Sequence, residues 1–541
     1  MARPAGTDSR PTGGYGRVEF VNMVIARQAG RREWISLAVL TIPCLLYAMD
    51  LTVLNLAVPQ LSKDLQPSST ELLWIVDIYG FMAAGSLVTM GTLGDRIGRR
   101  RLLLIGAAAF GATSLLAAWS TSAAMLIAAR ALLGVAGATV APSTLSLIRN
   151  MFADPRQRTV AVSVWITSFS VGGAIGPLLG GILLEWFWWG SVFLLAVPVM
   201  ALLLVLGPLL LPEFRDPGAG RLDLLSAALS VAAVLAVIYG LKQVTRDGLE
   251  WLPAVSIVVG LGAGVAFVRR QRRLADPLLD LRLFRSAVFT AALTTNLLSF
   301  FVGFGTLLFI TQYLQLVLGL SPLTAGLWML PSSAGFVAGS MLTPVLARRF
   351  RPAVVMVASL TLAAVGLGLF TLVGSMAGLA LLVTGSVVFS LGLAPVDTLT
   401  TDLVVGSAPP ERAGAASALS ETAAEFGGAL GIAVLGVIGT RVYRSHLDGT
   451  LPPGILPRAA AAARDTLGGA VAAAGNLPGQ PAQVLVRVAR QAFTQGLHVV
   501  FAVSAAVVLG AAVLAAIQLR HLRPAPEPSE TEPDGRKTHV A

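Results

Sequence analysis

Fourteen stretches of about 17–30 mostly apolar residues divide this chain of 541 residues. They run over 34–58, 72–93, 102–120, 124–148, 159–182, 190–212, 224–241, 252–268, 287–316, 323–347, 353–373, 377–404, 414–440 and 496–519. In hydrocarbon, a run of this kind satisfies its backbone hydrogen bonds as a helix, and about 20 residues cross the ~30 Å core. The pattern predicts an all-α membrane protein with 14 transmembrane helices. Only 12% of the residues are charged, against about 25% in soluble domains. The first run is too long for the core of a signal peptide and reads as the first crossing. The one cysteine, Cys44, lies within it, so the chain forms no internal disulfide and Cys44 reads as a small packed hydrophobe.

The net charge of +11 follows topology rather than a nucleic-acid surface. Arg31, Arg32, Arg96, Arg99, Arg100, Arg101, Arg149, Arg158, Arg269, Arg270, Arg272, Arg273, Arg348 and Arg349 fall on one side when the runs are threaded alternately. The short connections on the other side hold only Lys63, Lys242 and Arg246. Basic loops stay cytoplasmic, so both termini are expected in the cytoplasm. The Ala/Gly/Arg-rich usage points to a bacterial inner membrane.

An internal repeat divides the chain. Pro155-Arg156-Gln157-Arg158-Thr159-Val160-Ala161 matches Pro409-Pro410-Glu411-Arg412-Ala413-Gly414-Ala415. Gly172-Gly173-Ala174-Ile175-Gly176 matches Gly427-Gly428-Ala429-Leu430-Gly431, and a fainter pair joins 95–99 to 347–351. The expected domains are a disordered tail 1–33, a six-helix bundle 34–212, a linker 213–286 with two inserted helices, a second bundle 287–519 and a disordered tail 520–541. The second bundle includes an outer loop, 441–495, with helix-compatible stretches at 457–473 and 481–495.

Between runs two and three the chain reads Gly91-Thr92-Leu93-Gly94-Asp95-Arg96-Ile97-Gly98-Arg99-Arg100-Arg101. Glycines at 91, 94 and 98 permit a tight turn and close helix approach. Asp95 can cap the following helix or pair with an arginine across an interface. Gly172, Gly176 and Gly180 recur every fourth residue, which allows close backbone packing, and Pro177 interrupts that helix's hydrogen bonds.

These motifs resemble those of the Major Facilitator Superfamily. The stretch 91–101 resembles its motif A, with every anchor position present. Asp50 to Pro59 resembles motif D1 of the drug:proton antiporters, Leu126 to Gly134 resembles motif B with Leu133 where glutamine is common, and Gly172 to Gly181 resembles motif C, the antiporter signature. Trp74-Ile75-Val76-Asp77-Ile78-Tyr79 and Phe187 to Leu194 are similar to the fourteen-helix drug:proton antiporter family, of the QacA, SmvA and LfrA type, which exports quaternary ammonium compounds and cationic dyes. The resemblance implies the Major Facilitator fold, two six-helix bundles plus two inserted helices. It also implies a gating role for Gly91, Asp95, Arg96, Gly98, Arg99, Gly172, Gly176, Pro177, Gly180 and Gly181.

Charged residues inside the runs are few: Asp50, Asp77, Arg130, Asp397, Asp402, Glu421 and Glu425. Each costs roughly 2.5–3.5 kcal/mol at a helix centre, so function is the default reading. At about 1.5 Å per residue, Asp50, Asp77 and Arg130 lie roughly 12, 8 and 9 Å from the outer ends of their helices. Arg130 can pair with one carboxylate and leave the other for a cation or proton; a static ion pair is the plainer alternative. The three are the expected proton-coupling residues. Asp77, Asp397, Glu421 and Glu425 are the expected substrate carboxylates, Glu421 and Glu425 sharing a helix face. Asp402, near an inner end, is expected to pair with Arg412 as part of the gate. Phe300, Phe301, Phe304, Phe309, Tyr313 and Trp328 could bind organic cations, but packing explains most of them more simply.

The resulting expectation is a proton-coupled exporter of small hydrophobic, often cationic compounds: a monomer in the lipid bilayer, driven by the proton gradient without cofactor, metal or nucleic acid. A dedicated exporter of one endogenous metabolite or antibiotic is the alternative. An enzyme is not expected, since the sequence offers no metal spacing, nucleophile elbow or phosphate loop.

Overall fold

The computed structural model describes residues 29–67, 69–215, 223–247, 251–274, 277–279, 281–320, 322–374, 378–409, 413–448, 457–475 and 480–521. The tails 1–28 and 522–541, and with them Arg412, lie outside the described residues.

All fourteen expected runs are helical. The first half comprises α1 (Arg31–Leu65), α2 (Ser69–Ile97), α3 (Arg99–Ala118), α4 (Ala123–Gly137), α5 (Val140–Met151), α6 (Pro155–Trp186), α7 (Ser191–Leu194) and α8 (Ala196–Leu210). Two expected crossings are thus broken, at Ala138–Thr139 and at Leu195. The inserted pair is α9 (Leu224–Asp247) and α10 (Trp251–Gln271). The second half comprises α11 (Ala287–Gln312), α12 (Pro322–Arg349), α13 (Pro352–Phe370), α14 (Gly378–Gly406), α15 (Ala413–Asp448), α16 (Pro457–Asp465), α17 (Leu467–Ala474) and α18 (Gln480–Gln518). Among the described residues, 12 helices are long and apolar enough to cross a membrane, against the fourteen expected. The other two expected crossings are α9, whose apolar part is the shorter Leu225–Leu241, and α2, several of whose side chains lie outside the described residues.

Two main hydrophobic cores lie one in each half, from Leu37 to Leu211 and from Ala291 to Leu519, and the first also takes in Val405 and Ala413 from the second half. The sequence repeat reappears as a repeated contact. A Cβ on Gly172 of α6 would collide with the Leu45 carbonyl of α1, and one on Gly427 of α15 with the Leu297 carbonyl of α11. Gly431 meets the Phe301 carbonyl in the same way, and a Cβ on Gly180 would reach 2.9 Å from Val53. Gly181 faces open space. Gly176 is buried, and α6 continues through Pro177.

The inserted pair packs against both halves. Trp74 of α2 stacks on Tyr239 of α9 at 5.9 Å, and Phe81, Ala84, Ile238 and Ala429 form one cluster across α2, α9 and α15. At its base, Arg270 donates from Nε to Asp223 at 2.6 Å. Hydrogen bonds from Arg270 hold the Asp223 carboxyl well below its usual range.

Both helix-compatible stretches of the outer loop are helical. The stretch 481–495 forms the beginning of α18, a 39-residue helix, so the helix of the last crossing starts at Gln480 rather than at 496. Helices α16 and α17 cap the second half: Tyr443 donates to the Ala463 carbonyl at 2.6 Å, and Ala463, Leu467 and Ala470 enter the second core.

Candidate functional site

Three constellations follow one another along the seam between the halves. The first is an ion pair within the first half. Arg130 of α4 is 1% exposed and lies 3.3 Å from Asp50 of α1. Its other donors go to α2: Nε to the Ile75 carbonyl at 2.6 Å and Nη2 to the Val76 carbonyl at 3.3 Å. Its guanidinium sits over the Tyr79 ring at 5.1 Å. The planar fork can hold a carboxylate and two carbonyls together, which a lysine cannot. Of the two carboxylates that the sequence offers to Arg130, the structure places Asp50 on it. The side chain of Asp77 lies outside the described residues, while its backbone follows the two carbonyls that Arg130 holds.

The second is a cavity of about 460 Å³ between the halves, lined by α1, α6, α11, α12, α14 and α15. Three carboxylates face it, Asp397, Glu421 and Glu425, together with Tyr47, Phe169, Phe300, Phe304 and Phe336; among the described residues its lining includes no lysine or arginine. Asp397 is 6% exposed and its Oδ1 has no hydrogen-bond partner. Phe300 and Phe304 stack at 6.0 Å on its wall, which moves these two from plain packing to the cavity. Phe309 stacks on Phe493 instead, and Trp328 is exposed.

The two constellations adjoin. Tyr47, on the cavity wall, lies 5.8 Å from Tyr79, whose ring supports Arg130. The sequence separates an outer acid in the first half from inner acids in the second; the tyrosine pair brings them within one continuous group.

The third constellation ties the halves at their arginine-rich end. Asp95 pairs with Arg99 one turn on, and its other oxygen accepts from the Ala415 amide in the first turn of α15 at 3.2 Å. Free amides at a helix start favour a carboxylate. Gly91 permits this contact, since a Cβ there would lie 2.5 Å from Ala418. Gly414 faces the Arg99 guanidinium, where no side chain would fit. Gly98 has φ +112° and leaves room for Glu213, which accepts from the Arg100 amide at 3.0 Å. Arg96 is half-buried beside them. Asp402 of α14 accepts across the halves, from Arg158 of α6 at 2.6 Å and from Thr159 at 3.0 Å; the pairing expected with Arg412 lies outside the described residues. Ser340 of α12 donates to the Ser163 carbonyl at 3.1 Å.

Sequence reasoning missed Tyr47, Tyr79, Arg158, Thr159, Ser163, Ser340 and Glu213. The repeated Pro155–Arg158 segment was the one available signal for Arg158.

Two helical bundles around a central cavity, with latches at one end, define a multi-pass membrane carrier. Residues 41–432 match the family model described as Major Facilitator Superfamily, and the chain belongs to that family. It is 46% identical to the multidrug efflux pump LfrA of Mycolicibacterium smegmatis over 90% of this chain and 97% of that protein. It is 34% identical to the methyl viologen resistance protein SmvA of Salmonella typhimurium (85% and 93%). It is 33% identical to the tetracenomycin C resistance and export protein of Streptomyces glaucescens (93% and 94%). Among solved structures, human MFSD10, an organic anion transporter, shares the fold with a TM-score of 0.58 at 16% identity, over 88% of this chain and 99% of that one.

Proposed function

We propose that the chain exports small hydrophobic, often cationic compounds in exchange for protons, across a bacterial inner membrane and with both termini in the cytoplasm. The observation that carries this reading is the cavity: three carboxylates and several aromatic faces, with no basic residue among the described residues of its lining. Such a lining attracts an organic cation through charge and through ring quadrupoles. The names of the relatives, a multidrug efflux pump and a methyl viologen resistance protein, support the same class.

In this reading Asp50 carries the proton. Protonation removes the charge that holds one arm of Arg130 and lets α1, α2 and α4 shift. Tyr79 and Tyr47 pass that shift to the cavity, where Asp397, Glu421 and Glu425 hold the substrate and Asp77 contributes from the first half. Asp95, Arg99, Arg158 and Asp402 close the cytoplasmic side, and their release opens it. The proton gradient supplies the energy, and one chain suffices.

The test is pH-gradient-driven ethidium efflux in inverted vesicles. Asp50→Asn is expected to abolish gradient-driven transport while leaving ethidium binding to the purified protein within about threefold. Full gradient-driven transport by Asp50→Asn would refute the coupling assignment. Glu421→Gln with Glu425→Gln should instead weaken ethidium binding.

A dedicated exporter is the second reading, favoured by the similarity to the tetracenomycin C export protein and, at 34% identity, to a puromycin resistance protein of Streptomyces alboniger. A liposome screen of cationic against neutral substrates separates the two: one transported compound supports the dedicated exporter, many support the multidrug pump.

A further inference from the structure

A second cavity, of about 820 Å³, lies at the end of the second half opposite the arginine-rich loops. It is walled by α18, by the π-helical turn Tyr313–Val317 that ends α11, and by Val373 and Gly374 after α13. Its volume falls in the range of small-molecule sites, about 300–1,000 Å³.

Its chemistry is the reverse of the central cavity. Arg487, Arg490 and His498 line it, with the amides of Gln483, Gln491 and Gln495, and no aspartate or glutamate is among its described lining residues. The basic groups are held in place. Arg490 donates from Nε to the Leu316 carbonyl at 2.9 Å, and His498 contacts the Val373 carbonyl through Nε2 at 2.8 Å. A carbonyl only accepts, so Nε2 carries a proton. Arg487 is exposed within the cavity mouth.

Position narrows the ligand. Helix α18 has 39 residues, or ~58 Å at ~1.5 Å per residue, nearly twice the ~30 Å hydrocarbon core. Counting ~20 residues from its arginine-rich end puts the far edge of that core near His498. Arg490 then stands ~12 Å and Arg487 ~16 Å along the helix beyond that edge, just outside the ~5–8 Å headgroup layer, toward which long arginine side chains can reach back.

We infer that this cavity binds the phosphate-bearing anionic headgroup of a phospholipid, phosphoglycerol in type, with Arg487 and Arg490 on the phosphate and the glutamine amides on the hydroxyls. The arginine fork matches phosphate geometry. Because the cavity is built on the end of α11, whose Phe300, Phe304 and Leu307 line the central cavity, the headgroup fixes one wall of the transport pathway from outside.

The test uses the delipidated full-length protein. Native mass spectrometry is run during titration with dioleoyl phosphatidylglycerol, dioleoyl phosphatidylcholine and, separately, soluble glycerol 3-phosphate. One phosphatidylglycerol site at least about tenfold tighter than phosphatidylcholine is expected. Arg487→Gln should weaken that site about tenfold, the scale of one charge-assisted hydrogen bond. Arg490→Gln should do the same, and Arg487→Gln carries the test if Arg490→Gln fails to fold. Arg269→Gln, exposed at the other end, should change nothing. Glycerol 3-phosphate binding with the same dependence on Arg487 would keep the anion site and move its source from lipid to water. Equal binding of the two lipids without glycerol 3-phosphate binding, or binding indifferent to Arg487, would overturn the inference.

Discussion

Removing the charge of Asp402 tests whether the arginine-rich end is a latch. The Arg158 and Asp402 side chains are only 13% and 11% exposed, and their 2.6 Å ion pair joins α6 to α14. Deleting one partner of a buried pair costs about 3–5 kcal/mol. Asp402→Asn keeps one oxygen to accept from Arg158, and its amide can donate to the Thr159 hydroxyl, so about 2 kcal/mol is the better figure for the charge alone. That loss falls on the state in which the halves touch, and it raises the open population about 30-fold. Ser340 reports the opening: it is fully buried where α12 meets α6. With Cys44→Ser and Ser340→Cys as the parent, maleimide labelling of nanodisc-reconstituted protein should run about 30-fold faster in Asp402→Asn, because the rate follows the open fraction when reclosing is fast. A charge-reversed pair, Arg158→Asp with Asp402→Arg, should recover most of the parent rate. A labelling rate within twofold of the parent would refute the latch, since the halves would then be held by contacts to which this pair contributes nothing.

Other outcomes follow from the same geometry. Gly172→Ala drives a Cβ into the Leu45 carbonyl and should lower the thermal unfolding midpoint, at a cost of about 1–3 kcal/mol; Gly181→Ala, facing open space, should stay within about 0.5 kcal/mol. Phe300→Ala with Phe304→Ala should weaken binding of a cationic dye by about 1–2 kcal/mol and that of a neutral analogue by less, read by fluorescence titration. Tyr443→Phe removes the bond to the Ala463 carbonyl and should cost the α16–α17 cap about 1 kcal/mol, seen as faster hydrogen exchange over residues 457–475.

What could be read in the sequence was local or periodic. Apolar runs fixed the helices, and glycines spaced by four marked α6 and α15 as the tightly packed ones. Arg130 announced a partner because a lone guanidinium at that depth needs one. The partners in the latches were not legible. Asp95 meets the Ala415 amide 320 positions away, and Arg158 meets Asp402 across 244, with no pattern to relate them. A backbone amide also leaves no mark in a sequence. The aromatic wall was hidden for another reason: Phe300 and Phe301 are neighbours of one kind, yet one lines the cavity and the other is buried in the second core. Only the rotation of α11 separates them. In the outer loop the sequence marked 481–495 as helix-compatible but left open that it runs unbroken into the last crossing, because polar residues mark where a helix leaves hydrocarbon and not where it ends.

Helix α15 begins with the amide that Asp95 grips and carries Glu421 six residues later, about 9 Å along the same rod. An α-helix that short hardly bends, so the two points cannot move independently. Sensor and bolt are therefore one piece. A cation that draws Glu421 aside drags Ala415 with it, and a carboxylate that seizes Ala415 fixes where Glu421 stands. No chain of intermediates is needed between them, and mutations that soften the rod between 415 and 421 should uncouple binding from opening without touching either end.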